Sequence, residues 1–165
     1  MRPVHSIILT LLTAVIAGCS SIDCNIEGRV LCHYTLHDGD GNDVTLNYPV
    51  SVSLLRTAVG SDTVYINSMS NASSFDIPMS YGADKDEIAI TLHLTDSTTI
   101  TDIIWARKTN IPQFESVDCA PRYHHELLEA GSTHNFIDTV IINNPKVSND
   151  ASVSNIQIHL HSIDD

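Results

Sequence analysis

Apolar and polar residues alternate through most of the chain after residue 29, and this alternation limits the fold more than any other feature. The segment EIAITLHL at 87–94 has isoleucine or leucine at every second position. A period of two is typical of a β-strand that buries one face. No segment after residue 29 keeps a convincing helical period. The sequence therefore predicts an all-β protein.

Turn-forming residues divide the alternating segments, as in DGDGND at 38–43. We predict strands at 29–37, 44–55, 63–68, 74–79, 87–94, 98–107, 137–142 and 155–161. The segment 112–131 could hold a short helix that stops at Gly131, but the strands on both sides favour another strand. About seven to nine short antiparallel strands with frequent turns predict a single β-sandwich domain, immunoglobulin-like, over residues 29–165.

The chain begins MRPVHSIILTLLTAVIAGC, with a basic start and an uncharged apolar stretch of eleven residues at 7–17. That length fits the apolar part of a secretory signal but not a transmembrane helix, which needs about twenty residues. The sequence IAGC at 16–19 resembles the lipobox of bacterial lipoproteins. The resemblance implies a signal peptide at 1–18, a lipid anchor on Cys19 and a short tether at 19–28. A plain signal peptide that ends in cysteine is the alternative.

Three cysteines remain after Cys19, so three disulfide pairings are possible. Cys32 shares one face of its predicted strand with Val30, Tyr34 and Leu36, which indicates a buried free thiol. Cys24 and Cys119 lie in polar segments outside the predicted strands. Export would permit a disulfide between them. A pairing of Cys24 with Cys32 is the alternative.

Three segments resemble a family of small outer-membrane lipoproteins of Bacteroides-type bacteria that carries only a domain-of-unknown-function label. They are SIDC at 21–24, FESVDC at 114–119, and the segment 137–160. The resemblance implies a lipid-anchored β-sandwich in the cell envelope, and it supports the Cys24–Cys119 pairing. It brings no activity and no catalytic residues. Only one acidic residue follows Cys19 in SSID, so we expect a periplasm-facing protein rather than one exported to the surface.

The charge balance argues against nucleic acid and against anionic lipid headgroups as electrostatic partners. Eight Lys and Arg stand against twenty Asp and Glu, a formal net charge of −12. Such a chain lacks the basic surface that nucleic acid requires. The DGDGND segment begins like a calcium-binding EF-hand loop, but Asp43 stands where glycine belongs and Pro49 where a bidentate glutamate belongs. A chain-reversing turn explains this segment better than a calcium site.

Nine histidines are present, and several are predicted on outward strand faces: His33, His37, His93, His159 and His161. His-x-His on a strand places two imidazoles side by side, a spacing that zinc sites use. The sequence does not bring His33 or His93 beside the His159–His161 pair as a third ligand, so we predict no metal and no cofactor.

No motif for nucleophilic catalysis or phosphate binding occurs, so we predict no catalytic residues. The cluster YHHE at 123–126 is expected in the core or at its rim, and Trp105 in the core. The few aromatic residues are expected to be unclustered, without a stacking surface. Two functions remain: a non-enzymatic envelope module that binds a protein or glycan partner, or a small metal-dependent hydrolase or metal carrier built on the outward histidines.

Overall fold

The computed structural model describes residues 30–55, 62–114, 116, 119–148 and 152–161. Their regular structure is entirely β-strand, which confirms the all-β prediction. The ten strands are β1 (Leu31–His37), β2 (Val50–Leu55), β3 (Thr63–Met69), β4 (Ser74–Pro78), β5 (Lys85–His93), β6 (Thr99–Gln113), β7 (Arg122–Ser132), β8 (Ile137–Ile142), β9 (Lys146–Val147) and β10 (Ile156–Leu160). No helix in the described ranges is long and apolar enough to cross a membrane.

The chain divides into two compact units. All ten strands belong to the unit made of Gly28–Gln113 and Pro121–Asp165, which we call the sandwich unit. The segment Phe114–Ala120 belongs to the other unit, together with Met1–Glu27. The predicted signal peptide, Cys19, the tether and Cys24 lie outside the described residues, so these assignments stay predictions.

The strands of the sandwich unit form two sheets. A four-stranded sheet has the order β4-β1-β10-β8, and a six-stranded sheet has the order β3-β2-β5-β6-β7-β9. Nearly all neighbours are antiparallel, as predicted, but the first strand β1 pairs in parallel with the last strand β10. Alternation shows which face of a strand is buried and not which strand lies beside it, so this parallel pair had no sequence signal.

Two predicted segments differ from the strands that the structure contains. The segment 112–131 contributes most of β7, which forms a long hairpin with β6, so the helix alternative is wrong. The segment 44–55 contains a strand only from Val50 onward. Pro49 directly precedes β2, which is an inner strand between β3 and β5. At that position the missing N–H of proline removes no bond from the sheet ladder.

The core lies between the two sheets and follows the predicted alternation. Ile90 from the six-stranded sheet and Ile158 from the four-stranded sheet are both almost fully buried. Cys32 is a free cysteine in this core, as predicted, with no exposed surface. Burial raises the pKa of its thiol to about 12. The thiol is therefore protonated and inert at neutral pH.

Asp102 fastens the connection that carries the chain from β7 in one sheet to β8 in the other. Thr133 donates its hydroxyl to Oδ1 of Asp102 at 2.5 Å. The backbone N–H groups of Asn135, Phe136 and Ile137 all donate to the same carboxylate at 2.8–3.0 Å. Burial alone would raise the pKa of Asp102, but these hydrogen bonds to the charged form outweigh it and lower the pKa.

Trp105 lies on the outer face of the six-stranded sheet, so its predicted place in the core is wrong. It is half-buried between the fully inward residues Ile104 and Ala106 of β6. Its ring covers Gly131, its partner across the hairpin: a Cβ on Gly131 would lie 2.6 Å from Cζ2 of the indole. Nζ of Lys85 lies 5.5 Å from the ring centroid. Gly131 is thus a close-approach glycine inside a strand rather than the stop of a helix.

Gly131→Ala is expected to lower the free energy of unfolding by about 1–3 kcal/mol, because the methyl group displaces the Trp105 ring. The chain contains one tryptophan, so the fluorescence of Trp105 should change in the same variant. Urea denaturation followed by fluorescence measures both effects. Gly39→Ala is the control, since a Cβ there meets no atom within 4 Å. Equal stability of the two variants would contradict the close packing of the indole on Gly131.

Candidate functional site

The outward histidines of the four-stranded sheet are partly brought together. The parallel pairing of β1 with β10 places His37 opposite His159, with ring centroids 5.3 Å apart and an angle of 23° between the rings. The loop after β1 covers His37, whose Nδ1 lies 3.3 Å from the carbonyl oxygen of Gly41 and 3.2 Å from Oδ1 of Asp43. Nε2 of His159 is buried without a hydrogen-bond partner. The predicted outward His37 is therefore a buried side chain.

The other outward histidines lie apart, each beside a polar neighbour. Nδ1 of His33 lies 2.8 Å from Oδ1 of Asp76, and Nε2 of His93 lies 2.8 Å from Oγ of Ser51. His161 lies near Asp138 on the edge strand β8, with 3.8 Å between Nδ1 and Oδ1. Within the part of the chain that the structure describes, no three His, Cys, Asp or Glu side chains form a group that could hold a metal ion.

Thr35, His37 and Asp43 stand in the order hydroxyl, imidazole, carboxylate that hydrolases use to activate a nucleophile. Nε2 of His37 lies 2.8 Å from Oγ1 of Thr35. The Thr35 hydroxyl is also hydrogen-bonded to Oγ of Ser154 at 2.8 Å, and the imidazole is stacked on His159. Packing of polar side chains on the outer face of the sheet accounts for these contacts without catalysis.

The DGDGND segment is a chain-reversing turn, as predicted. The backbone N–H groups of Asp40 and Asn42 donate to Oδ1 of Asp38 at 2.9 and 2.8 Å, and the Asn42 side chain also donates to this carboxylate. Those hydrogen bonds, that of the Asn42 side chain first, lower the pKa of Asp38. After the turn the chain returns beside β1, where the N–H of Val44 donates to the carbonyl of Leu36. The Asp38 carboxylate is thus occupied inside its own loop.

A second region, at the opposite end of the sandwich unit, contains a stacked pair of tyrosines. Tyr81 belongs to the β4–β5 loop and Tyr123 to the start of β7, and their ring centroids are 5.3 Å apart with an interplanar angle of 18°. Tyr81 is 60 % exposed. The expectation that aromatic residues are unclustered is therefore wrong. Forty-two positions separate the two tyrosines, so only the tertiary structure could bring them together.

Four polar side chains, three of them buried, hold the loop that carries Tyr81; we call Asp86, Lys108, Asn110 and His125 the polar cluster. Lys108 has a fully buried side chain, and its Nζ donates to the carbonyl of Ala83 at 2.6 Å and lies 3.2 Å from Oδ2 of Asp86. An ion pair this deep is uncommon, because both charges lose their hydration. Burial raises the pKa of Asp86 even beside Lys108.

Further hydrogen bonds fasten the same loop. The N–H of Ser80 donates to Oδ2 of Asp86 at 3.0 Å. The side-chain amide of Asn110 donates to the carbonyls of Tyr81 and Ala83 at 3.2 and 2.8 Å. The loop therefore has a defined conformation, set from inside the fold by three side chains of β5 and β6.

His125 completes the polar cluster. Because the Asn110 amide nitrogen faces the loop carbonyls, its Oδ1 faces His125 and accepts a hydrogen bond from Nδ1 at 2.8 Å. Burial first, then the charge of Lys108, lowers the pKa of His125 to about 4. His125 is therefore a neutral hydrogen-bond donor at neutral pH, in the core as the sequence indicated for this cluster.

His125 should make folding sensitive to acid. Its folded pKa of about 4 lies below its ordinary value of 6.5, so the unfolded chain binds the proton more tightly. The stability contributed by neutral His125 is complete above pH 6.5 and is lost as the pH falls from there toward 4. His125→Gln keeps a donor for Asn110 but cannot titrate. The stability difference between wild type and this variant, from urea denaturation at pH 7 and pH 4.5, should change by at least about 1 kcal/mol. The same stability difference at both pH values would contradict a lowered pKa of His125.

The alternation contained a signal for the charged members of the polar cluster. Lys108 falls on the inward face of β6 together with Ile104 and Ala106, and Asp86 falls on the inward face of β5 together with Ile88. The predicted strands stopped one residue short of each charged residue, at 107 and at 87. Extension of the alternating pattern by one residue would have marked both as buried charges that need a partner.

One family model matches the chain. It is described as a family of unknown function, DUF6452, and it matches residues 52–160, more than half of the chain. The chain belongs to this family. The matched region runs from inside β2 to the last residue of β10, and so contains the polar cluster, Tyr81 and Tyr123. Comparisons with curated proteins and with solved structures give no match.

Proposed function

We propose that this member of the DUF6452 family is a non-enzymatic lipoprotein of the cell envelope. In this proposal Cys19 carries the lipid anchor, the outer membrane holds the anchor, and the β-sandwich faces the periplasm. The domain acts as a binding module that presents its loops to an envelope protein or glycan partner.

The observation that carries the proposal is the position of the start of β1. Leu31 pairs with Pro78 at the end of β4, so the chain reaches the fold beside the β4–β5 loop. That loop is bonded to β6 through the N–H of Lys108 and the carbonyl of Asp84. From Lys108, β6 continues past this loop to Gln113, which pairs with Arg122 at the start of β7. The start of β1, the end of β6 and the start of β7 therefore lie at the same end of the sandwich unit. This common position supports a pairing of Cys24 with Cys119, since Cys119 lies between β6 and β7.

We call this the tether-proximal end, and the opposite end, with the DGDGND turn and the β5–β6 turn, the distal end. A lipid anchor five residues before Cys24 lies within about 18 Å of Cys24 even when the chain is fully extended. In this proposal the distal loops are the surface offered to a partner.

Crosslinking in native membranes tests the binding role. A photoreactive amino acid at Asp96, in the distal β5–β6 turn, should capture a defined protein or glycan neighbour. The same probe at Glu129, on the middle of β7, is the control and should capture less. Equal, non-specific labelling from both positions would argue against a distal binding surface.

Mass spectrometry and thiol labelling test the anchor and the disulfide. The mature protein should start at an acylated Cys19, Cys24 and Cys119 should be linked, and Cys32 should react only after unfolding. An unmodified Cys19, or three reactive thiols in the unfolded but unreduced protein, would overturn this part of the proposal.

A metal carrier or metal-dependent hydrolase is the second candidate, and the His37–His159 pair is the observation that favours it. The unpartnered Nε2 of His159 is a free imidazole lone pair or donor. Metal content of protein purified from native membranes tests this candidate. Zinc or copper at one ion per chain, lost in His159→Gln and kept in His93→Gln, would support it over the binding module.

A further inference from the structure

The loop between β4 and β5 is fastened to the fold by side chains of the polar cluster. Nζ of Lys108 donates to the carbonyl of Ala83 at 2.6 Å, and the Asn110 amide donates to the same carbonyl at 2.8 Å. The Asp86 carboxylate accepts the N–H of Ser80 at 3.0 Å. A loop that is held by side chains can open without the loss of a strand ladder, so its position depends on the charge of the cluster that holds it.

His125 is linked to this loop by two contacts. Its side chain is buried, with 3 % of the residue exposed, and its Nδ1 donates to Oδ1 of the Asn110 amide that holds the loop carbonyls. Tyr123 shares the strand face of His125, two residues earlier on β7, and stacks on Tyr81 of the loop. Opening of the loop therefore takes Tyr81 and the anchored Asn110 amide away from the face of β7 that carries His125, and water can reach the imidazole.

The surroundings of His125 oppose its protonation. Burial first, then the charges of Lys108 on β6 and of His124 on β7, lower the pKa of His125 to about 4. The strand β9 places the apolar Val147 opposite His125, while its exposed neighbour Lys146 lies on the other face of the sheet. A protonated His125 would therefore add a second cation to a buried space that already contains Lys108, and a buried charge without a partner is costly.

The carboxylate of the cluster, Asp86, does not remove this cost. Its Oδ2 is already paired with Nζ of Lys108 at 3.2 Å. Its own titration acts in the opposite direction, because burial raises the pKa of Asp86 and its protonation in acid therefore favours the closed loop. Burial above all, with a smaller effect of the Asp86 charge, also raises the pKa of Cys32 and of Tyr34 on β1, so both stay neutral in acid. The acid response must then come from His125, and Asp86 reduces it.

We propose that the polar cluster is a pH-sensitive switch, in which protonation of His125 opens the β4–β5 loop and separates the stacked rings of Tyr81 and Tyr123. This inference does not depend on the lipid anchor or on the partner of the proposed function. In the closed loop a charged His125 lies beside Lys108 without water, whereas in the open loop both cations are hydrated. Proton uptake therefore favours the open loop. Because Tyr81 is 60 % exposed, its displacement alters the surface of the protein at this end.

The size of the effect follows from the pKa of His125 in the two states. If the open loop returns the imidazole from about 4 to its ordinary pKa of 6.5, the ratio of open to closed loop rises about 60-fold between pH 7 and pH 4.5. His125→Gln still donates to Asn110 but cannot titrate, and it keeps the opposing effect of Asp86. We expect the ratio to rise in the wild type, and this rise to exceed that of His125→Gln by at least about tenfold.

Native-state amide hydrogen exchange, corrected for the intrinsic exchange rate at each pH, measures the opening. The reporters are the N–H of Ser80, which donates to Asp86, and the N–H of Lys108, which donates to the carbonyl of Asp84, because both bonds break when the loop opens. The N–H of Leu94, in the β5–β6 turn, is the reference outside the cluster. Between pH 7 and pH 4.5 exchange should rise at the two reporters and not at Leu94. Low concentrations of urea should not change it, because a local opening exposes little surface.

A matched variant and the urea dependence decide the outcome. His124→Gln removes the neighbouring imidazole from the other face of β7 and should keep the acid response of the wild type. An equal acid response in the wild type and in His125→Gln would overturn the role of His125. Exchange at Ser80 that depends on urea as strongly as exchange at Ile90 in the core would mean that the whole fold opens at once. That result contradicts the switch from the wild type alone, even if His125→Gln fails to fold.

Discussion

Asp102→Ala is expected to lower the free energy of unfolding by about 3–5 kcal/mol, although Asp102 touches no candidate functional residue. The carboxylate accepts hydrogen bonds from the Thr133 hydroxyl and from three successive backbone N–H groups, at Asn135, Phe136 and Ile137. Truncation leaves the buried N–H groups of Phe136 and Ile137 without an acceptor and removes the bonds that hold Thr133 and Asn135. Urea denaturation at pH 7 measures the loss.

Two further variants make this prediction specific. Asp102→Asn keeps the shape and one acceptor oxygen but loses the charge. It should therefore lower the free energy of unfolding by about half as much as Asp102→Ala does. Asp138→Ala, on an exposed side chain of β8, should change stability by no more than about 0.5 kcal/mol. If Asp102→Ala were as stable as Asp138→Ala, the Asp102 carboxylate would not stabilise the β7–β8 connection.

The effect of Asp102 should depend on pH with a defined sign. Its pKa in the folded protein is lowered, below the ordinary value of about 3.9 for an unfolded chain. The stability that it contributes is therefore present above the unfolded pKa and is lost as the pH falls through the folded pKa. The difference in unfolding free energy between wild type and Asp102→Asn should be constant from pH 5 to 8 and should become smaller below about pH 4.

Lys108→Met is expected to lower the free energy of unfolding by about 3–5 kcal/mol. The substitution preserves most of the side-chain volume, but it leaves Asp86 buried without its cation and the Ala83 carbonyl without its donor. The loop of Tyr81 should loosen in the same variant. Urea denaturation measures the stability, and amide hydrogen exchange of residues 80–84 measures the loop.

The double variant Lys108→Met/Asp86→Leu separates the ion pair from the packing. Removal of both charges should recover at least half of the loss, because no unpaired charge remains in the core. Lys85→Met is the control, because the Lys85–Glu87 pair is partly exposed and should be worth about 0.5 kcal/mol or less. A double variant as unstable as Lys108→Met alone would show that lost packing, rather than the unpaired Asp86, causes the effect.

The pH dependence of Lys108→Met follows from Asp86. Burial raises the folded pKa of Asp86, so its favourable contribution is present below the unfolded pKa and is lost as the pH rises through the folded pKa. Removal of Lys108 takes away a charge that opposes this rise, so the pKa of Asp86 rises further. The destabilisation should therefore be smaller at pH 5 than at pH 8, because a protonated Asp86 can stay buried at lower cost.

Alternation was a reliable guide to the buried face of each strand and a poor guide to its neighbours. Cys32 was assigned to the core from its spacing with Val30 and Tyr34, and the structure confirms it. His37 shares the outward face of β1 with His33, yet it is buried, because the turn after β1 folds back over it. The alternation of a strand does not show which loop will fold over it, because that depends on residues outside the strand.

The candidate site shows the same limit more strongly. The sequence marked YHHE at 123–126 as a dense ionisable cluster, but it did not connect Tyr123 with Tyr81 or His125 with Asn110. Both pairs depend on the length of the β6–β7 hairpin and on the path of the β4–β5 loop. Asp102 stood on the apolar face of its predicted strand, whereas Asp86 and Lys108 lay one residue outside theirs. The partners of all three come from other strands and loops.

The sequence by itself determined that this chain is an all-β protein and which face of most strands is buried. These properties follow from local periodicity and composition, since each residue carries its own hydrophobicity and charge. Only the tertiary structure decided that β1 pairs with β10 and that Asp86, Lys108 and Asn110 fix the loop of Tyr81. Such facts depend on which strands become neighbours, and strand pairing is set by the free energy of the whole packed core rather than by any single segment.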